Sequence, residues 1–258
     1  MTAFPHRRGW LQAAGASLGA LWLSACDKLT ENPKSAAVLK SAEGLTRRAQ
    51  RVVTDRKALA REFTAADISP DFRANGSTNP QDADYVAHAA KGFADWRLVI
   101  DGLVEHPQSL SLADLRAAPS RTQITRHDCV EGWSSIGKWK GARLAMLLDR
   151  AKLKPNARYI VLYCADMLEP TLDGTGQYYE SIDLIDAYHP QTILAYDMND
   201  QPLPIPHGAP IRLRVERQLG YKQAKYVTRL EAVADFAHIS RGNGGFWEDR
   251  GYEWYAGI

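Results

Sequence analysis

The chain has 258 residues, 45% of them hydrophobic and 24% charged, with a formal net charge of +2 at pH 7. This is the composition of an ordinary globular protein, with enough apolar surface for a sizeable core in one large domain or one domain plus a small addition. The charge is too mild, and basic runs with interleaved aromatics too few, for a nucleic-acid partner.

The chain opens with an address label. His6-Arg7-Arg8-Gly9-Trp10-Leu11 leads into an apolar stretch from Leu11 to Leu23 that ends in Leu23-Ser24-Ala25-Cys26. The stretch is too short to span a bilayer permanently. Basic, apolar and small residues follow one another in the order of an export signal. The paired arginines are similar to a twin-arginine signal, and Leu-Ser-Ala-Cys to a lipobox. Residues 1–25 are therefore expected to be a twin-arginine or lipoprotein-type signal, with a plain cleaved signal as the alternative. The mature protein is expected in the periplasm, anchored by lipid on Cys26. The twin-arginine route exports proteins already folded, often around an inserted cofactor, so the signal itself raises the expectation of one.

Residues 26–74 read as a helical tether and an irregular lead. Val38, Leu39, Ala42, Leu45, Ala49, Val52 and Val53 recur at roughly helical spacing, so a helix is expected across Pro33–Ile68. Ser69 to Asp84 is rich in Pro, Gly, Asn and Ser and reads as irregular. From Trp96 the character changes. Trp96–Gly102 reads as a strand, Ser111–Leu115 as a short helix with Ser111 as N-cap, and Thr122–Val130 as a strand delivering Cys129. Arg143–Leu153 follows as a helix, then Arg158–Cys164 and Tyr178–Leu184 as strands. Ile193–Met198 and Pro202-Leu203 flank a turn at Asn199-Asp200, and Ile211–Val215 and Tyr226–Val233 close the set. Strands outnumber helices without alternating with them, which predicts an α+β, mixed, strand-rich fold. The main domain is expected over 75–236, with an aromatic tail over 237–258. That tail, Gly244 to Tyr255, suits a lid or a packing surface.

Cys129 carries the most chemical information. It lies in Arg126-His127-Asp128-Cys129-Val130-Glu131-Gly132-Trp133-Ser134. A lone thiol at the end of a strand-like run makes a poor staple and a good soft-metal ligand or nucleophile. Once Cys26 is set aside only Cys164 remains to pair with it, and a Cys129–Cys164 disulfide ranks below a metal role. His127, two residues back on an extended run, would share a face with Cys129 and allow a metal-free thiol hydrolase. No nucleophile elbow supports that alternative. A non-catalytic binding lipoprotein is the third possibility.

Five spaced pieces then line up: Cys129-Val-Glu-Gly-Trp-Ser, Trp139-Lys-Gly-Ala-Arg-Leu144, His189-Pro190, Pro204-Ile-Pro-His207-Gly-Ala-Pro-Ile-Arg212-Leu, and Gly220-Tyr-Lys-Gln-Ala-Lys225-Tyr. In this order, over about 75–235, they resemble the molybdopterin-binding domain of the sulfite oxidase family, in particular its periplasmic methionine sulfoxide reductase catalytic subunits. The resemblance implies a molybdenum centre held by one protein thiolate, Cys129, and a single pterin. It implies further cofactor contacts from Asn75, Cys164, His207 and Arg212, with Gln223, Ala224 and Lys225 cradling the phosphate, and two-electron oxygen-atom transfer as the reaction. Gly208 and Gly220 would let backbone approach closely. Sulfite oxidases place arginines just after the cysteine, whereas Glu131, Gly132, Trp133 and Ser134 stand here. An S-oxide is therefore the expected substrate, with sulfite oxidation as the alternative. The related reductases carry Asn where His207 stands and Thr where Cys164 stands. No haem-binding motif is present, so a separate electron partner, cytochrome c or a membrane haem or quinone protein, is implied. Read on their own residues, Arg212 suits an outward strand position, Lys225 a solvated one and His189 a turn. Asp166, Tyr178 and Tyr179 are candidates for the cleft wall.

Overall fold

The computed structural model describes residues 55–258 and, ahead of them, residues 42, 44–46 and 48–52. The signal, the lipobox and Cys26 lie outside the described residues. Two compact units are distinguished, 1–53 and 54–258. In the first, the described residues are helical. In the second, the expected helix does not continue towards Ile68. Residues 55–68 instead hold a single 3-10 turn at Ala65–Asp67. Its backbone pairs elsewhere, as Phe63 donates to the Ile124 carbonyl and Ser69 to that of Ile136. Tertiary hydrogen bonds have overridden a helical periodicity. Among the described residues no helix is long and apolar enough to cross a membrane.

The second unit is strand-rich, as expected. In chain order it contains α1 (Ala83–Ala90), β1 (Arg97–Gly102), β2 (Gln108–Ser111), α2 (Leu112–Ala117), β3 (Ser120–Asp128), β4 (Ser134–Arg143), α3 (Leu144–Ala151), β5 (Tyr159–Met167), β6 (Gln177–Asp183), α4 (Leu184–Ala187), β7 (Ile193–Met198), β8 (Gln201–Pro202), β9 (Arg212–Arg214) and β10 (Val227–Val233). One sheet has the order β2-β1-β10-β5-β6, the other β3-β4-β7-β8 with β9 also paired to β7. Among the described strands only β1 and β10 pair in parallel. That pair joins the first strand of the sheet to the last of the chain.

Local chemistry sets the boundaries. Ser111 caps α2, its hydroxyl accepting from the Asp114 amide at 3.1 Å. Lys152, in the left-handed region at φ 59°, ends α3. The Asn199-Asp200 turn takes φ 50° and 64°, the double left-handed geometry of a tight hairpin, and joins β7 to β8. β5, inside its sheet, is buried on both faces, whereas β3, at an edge, alternates. The core draws Leu98 and Ile100 from β1, Ile160 and Leu162 from β5, and Leu194 and Leu213 from the second sheet. Leu144 and Leu148 of α3 complete it. Burying each such side chain is worth about 1.5–3 kcal/mol.

Residues 237–258 pack onto the body. The Phe246 amide donates to the Tyr179 carbonyl at 3.0 Å, and Trp254 Nε1 to Ser181 Oγ at 2.8 Å. Lys222 Nζ sits between the Glu180 and Glu248 carboxylates, all three essentially buried, and so ties the tail to β6. Burial and the neighbouring Glu248 push the Glu180 carboxyl well above its usual range. Removing the cation would leave two buried carboxyl groups facing each other. Lys222→Met is expected to cost about 3–5 kcal/mol in urea unfolding, the scale of an orphaned buried ion pair.

Candidate functional site

Cys129 owes its position to a hairpin. β3 and β4 run in register to Asp128 and Ser134, and residues 129–133 form the loop between them. Within it the Gly132 amide donates to the Cys129 carbonyl at 3.0 Å, and the Cys129 amide to the Trp133 carbonyl at 2.9 Å. Gly132 has φ +83°, a left-handed value that glycine adopts without strain. The strand thus ends two residues earlier than expected. Cys129 is lifted off the pleat, half-buried, while His127 is fully buried behind it. Both Cys129 and Cys164 are free thiols, so the disulfide alternative is not formed.

The hairpin rests on buried charge. Arg214 pairs with Glu216, Nη2 to Oε2 at 2.6 Å, and both side chains are fully buried. Its Nη1 reaches His127 Nδ1 at 3.2 Å, and its guanidinium lies 4.4 Å above the Trp139 ring. Arginine only donates, so Nδ1 accepts and the imidazole carries its proton on Nε2. Burial and the Arg214 cation hold the His127 pKa well below its usual range. The ring therefore stays neutral. Gly220 fits against it because a Cβ there would come within 2.5 Å of His127 Nε2.

Cys129 opens onto a partly open cleft. Asn75, Gln223 and Lys225 share its wall with Cys129. So do Asp166 and Tyr178, as expected, while Tyr179 turns away and donates to Asp249 at 2.7 Å. Lys225 is not solvated. Its Nζ donates to the carbonyls of Asn75 at 2.6 Å, Pro206 at 3.1 Å and Ser77. Arg212 is no outward strand residue either. At 1% exposure it donates to the His207 carbonyl at 3.1 Å and the Gln223 carbonyl at 3.2 Å, while its Nε has no partner. β9 is covered on both faces, which is why its alternation carried no information about exposure.

Four expected site residues do not line the cleft. Cys164 is buried on β5, where its carbonyl accepts from Gln177 Nε2 at 2.6 Å. Ala224 is buried, and its carbonyl accepts from the Leu213 amide. Arg212 lies behind the Gln223 carbonyl. His207 packs edge-on against Phe72 at 5.6 Å, and burial with the Arg212 cation brings its pKa down to about 4. His189 proves to be a turn histidine, buried, with Nε2 3.0 Å from the Ala58 carbonyl. The cleft also contains residues that spacing did not reveal: Ser77, Leu168, Tyr221, Trp247 and Tyr252. The aromatic density of the tail was the only signal for Trp247 and Tyr252. Trp247 and Tyr252 stack at 5.2 Å.

One cation, Lys225, lines the cleft beside two acidic residues, Glu131 and Asp166, and Arg212 is buried behind it. Neither Arg212 nor Lys225 has a carboxylate within ion-pair distance among the described residues. Burial and the neighbouring Arg214 lower Arg212 to about 9, and burial with Arg212 lowers Lys225 to about 7. An anion would relieve both.

Lys225 sits at about 7 against an ordinary 10.5. Between those values the unfolded chain holds a proton that the folded chain lacks. The ligand-free fold therefore gains stability as pH rises through that window, and Lys225→Met is expected to remove the gain in melting temperature measured against pH. Added inorganic phosphate is expected to raise the wild-type melting temperature most where Lys225 is protonated, and less in the variant.

The chain matches the oxidoreductase molybdopterin binding domain over residues 85–238. A protein of Azospira oryzae, provisionally named protein-methionine-sulfoxide reductase subunit YedZ1, is 33% identical over 253 residues, covering 98% of this chain and 88% of that protein. The protein-methionine-sulfoxide reductase catalytic subunit MsrP of Ralstonia nicotianae is 36% identical over 146 residues, or 54% of this chain and 44% of that protein. This chain thus spans less than half the length of that second relative. A solved structure, the sulfane dehydrogenase SoxCD from Paracoccus pantotrophus, aligns with a TM-score of 0.49 at 25% identity over 55% of this chain and 39% of that one. The matched domain covers more than half of the chain and contains the Cys129 hairpin, Arg212 and Lys225: the chain belongs to the oxidoreductase molybdopterin binding domain family, the sulfite oxidase family, and is a molybdenum oxidoreductase.

Proposed function

We propose that the protein reduces S-oxides, with a thioether sulfoxide of the methionine type as substrate. The observation that carries the reading is one half-buried thiol opening onto a cleft that the buried Lys225 also lines, with no carboxylate at ion-pair distance from Lys225 among the described residues. The residues present fit a molybdenum pterin of the single-pterin form. Cys129 offers one soft donor at the mouth. Lys225, backed by Arg212, offers positive charge for a phosphate. Gln223 Oε1 is a buried acceptor without a partner, suited to a ring or amino N–H of the pterin. In this reading Asn75 and Gln223 hold the pterin, Lys225 its phosphate, and Arg212 acts by fixing the Gln223 carbonyl. Ala224, Cys164 and His207 shape the ground behind them. When bound, the group supplies two-electron oxygen-atom exchange.

The names of the relatives support sulfoxide chemistry, and their description as subunits supports a separate electron donor of the haem or quinone class. The cleft mouth agrees. Val130 and Tyr252 line it and are 45% and 40% exposed, an apolar rim suited to a thioether side chain rather than to sulfite. Arg73, a guanidinium beside the Cys129 loop, is committed to Glu131 at 3.8 Å and to the Trp133 ring at 5.5 Å. The hydrolase alternative loses ground here. Burial pushes the Cys129 thiol up rather than down, and His127 Nδ1 is already accepting from Arg214. Export by the twin-arginine route, a periplasmic location and a lipid anchor on Cys26 belong to the same proposal and rest on residues 1–26.

Protein matured in a molybdate-replete host is expected to reduce methionine sulfoxide with a reduced dye, ahead of N-oxides and with no oxidation of sulfite. A preparation that oxidises sulfite and leaves sulfoxides untouched would reverse the assignment. Cys129→Ala is expected to keep the fold by circular dichroism while losing turnover and most bound molybdenum. Arg212→Gln is expected to lower retained molybdenum roughly 10–100-fold, the scale for a group that orients a ligand shell.

A further inference from the structure

The reading above leaves protons to be found. Reduction of a thioether S-oxide consumes two electrons and two protons and yields the thioether and one water. The S–O bond breaks, two O–H bonds form on the released oxygen, and sulfur takes up two electrons from a haem- or quinone-type carrier. We propose that Asp166 is the proton donor of this cleft, a catalytic residue that delivers one of the two protons to the oxygen leaving sulfur. The inference rests on the S-oxide reading and adds a residue to it.

Asp166 lies near the end of β5, 3% exposed, and lines the same cleft as Cys129. Its Oδ1 has no hydrogen-bond partner, and no cation lies within ion-pair distance among the described residues. The groups facing it are Cys164 on its own strand, Tyr178 on β6, Tyr85 on α1, and Lys225 and Tyr226 ahead of β10. Their protons are committed. Tyr178 donates to the Tyr221 carbonyl, Tyr85 to that of Ala209 at 2.8 Å, and Tyr226 to that of Ser77 at 3.0 Å. Lys225 spends its donors on three carbonyls. Burial raises the Cys164 thiol well above its usual range, so it holds its proton too. An ionised carboxylate with a bare buried oxygen is costly, so the protonated acid is favoured. Burial pushes Asp166 to about 7, against a pull downward from Lys225. A carboxylic acid in the wall of the cleft that keeps its proton until near-neutral pH is matched to general-acid work. Water in the open cleft returns the proton after each turnover and supplies the second one.

The test uses molybdenum-loaded protein with 13C-carboxyl-labelled aspartate. One carboxyl resonance is expected to titrate near 7 and to be missing from Asp166→Asn. If it instead titrates with the exposed carboxylates at about 4, the proposal fails. Asp166→Asn is expected to retain wild-type molybdenum and an unchanged KM for methionine sulfoxide, with kcat lowered about 100-fold or more. Asp166→Glu is expected to recover part of that loss. Loss of molybdenum in Asp166→Asn would make the residue a cofactor holder and overturn the proposal, as would unchanged kcat. If Asp166→Asn does not fold, the wild-type titration and the Asp166→Glu kinetics still decide. A wild type that turns over no S-oxide ends both readings, whereas an active wild type with an equally active Asp166→Asn ends this one alone.

Discussion

Buried positive charge without its own counter-ion is the constraint around which this fold is arranged. Five cations, Arg212, Arg214, Arg217, Lys222 and Lys225, are buried within a short stretch of chain. Three are neutralised internally, Arg214 by Glu216, Arg217 by Asp186 and Lys222 by Glu180 and Glu248. The other two are met only by carbonyl oxygens. Dehydrating a cation costs several kcal/mol, and neutral carbonyls offset only part of it. In the proposed reading an anionic group of the cofactor would offset that cost.

The same charges fix the reactive thiol. Arg214 is held by Glu216, clamps the His127 ring and lies over Trp139, so the base of the β3–β4 hairpin is rigid. Trp139 in turn sits on β4, which returns from the loop. Gly132 then turns the backbone so that Cys129 leaves the strand. A side chain positioned by two strands and a buried ion pair can hold a metal at a defined place. A thiol on a free loop could not.

The tail completes the cleft from the other side. Residues 237–258 arrive last in the chain, yet Trp247 and Tyr252 form part of the wall facing Cys129. Arg250 reaches the Glu169 carboxylate, and Tyr221 donates to the Glu253 carbonyl at 2.7 Å. The buried Lys222 triad anchors this arrangement. Cleft shape and stability are therefore linked, because the aromatic wall stays in place only while the tail remains docked.

Sequence alone settled the strand-rich class, the Ser111 cap, the Asn199-Asp200 hairpin and the family, because these depend on local backbone preference and on residue types at short spacings. It also singled out Cys129 by its own chemistry and Lys225 through the family resemblance, although read alone Lys225 suits a solvated position. It misjudged the helix towards Ile68, since periodicity cannot register that Phe63 and Ser69 have partners on strands far along the chain. It gave no sign of which expected contacts share one wall: Asn75, Cys129, Gln223 and Lys225 meet, while Cys164, His207, Arg212 and Ala224 stand behind. It named Asp166 as a cleft-wall candidate but gave no sign that its carboxyl is buried without a partner. Those decisions belong to the tertiary structure, because burial and the absence of a hydrogen-bond partner come from segments distant in sequence.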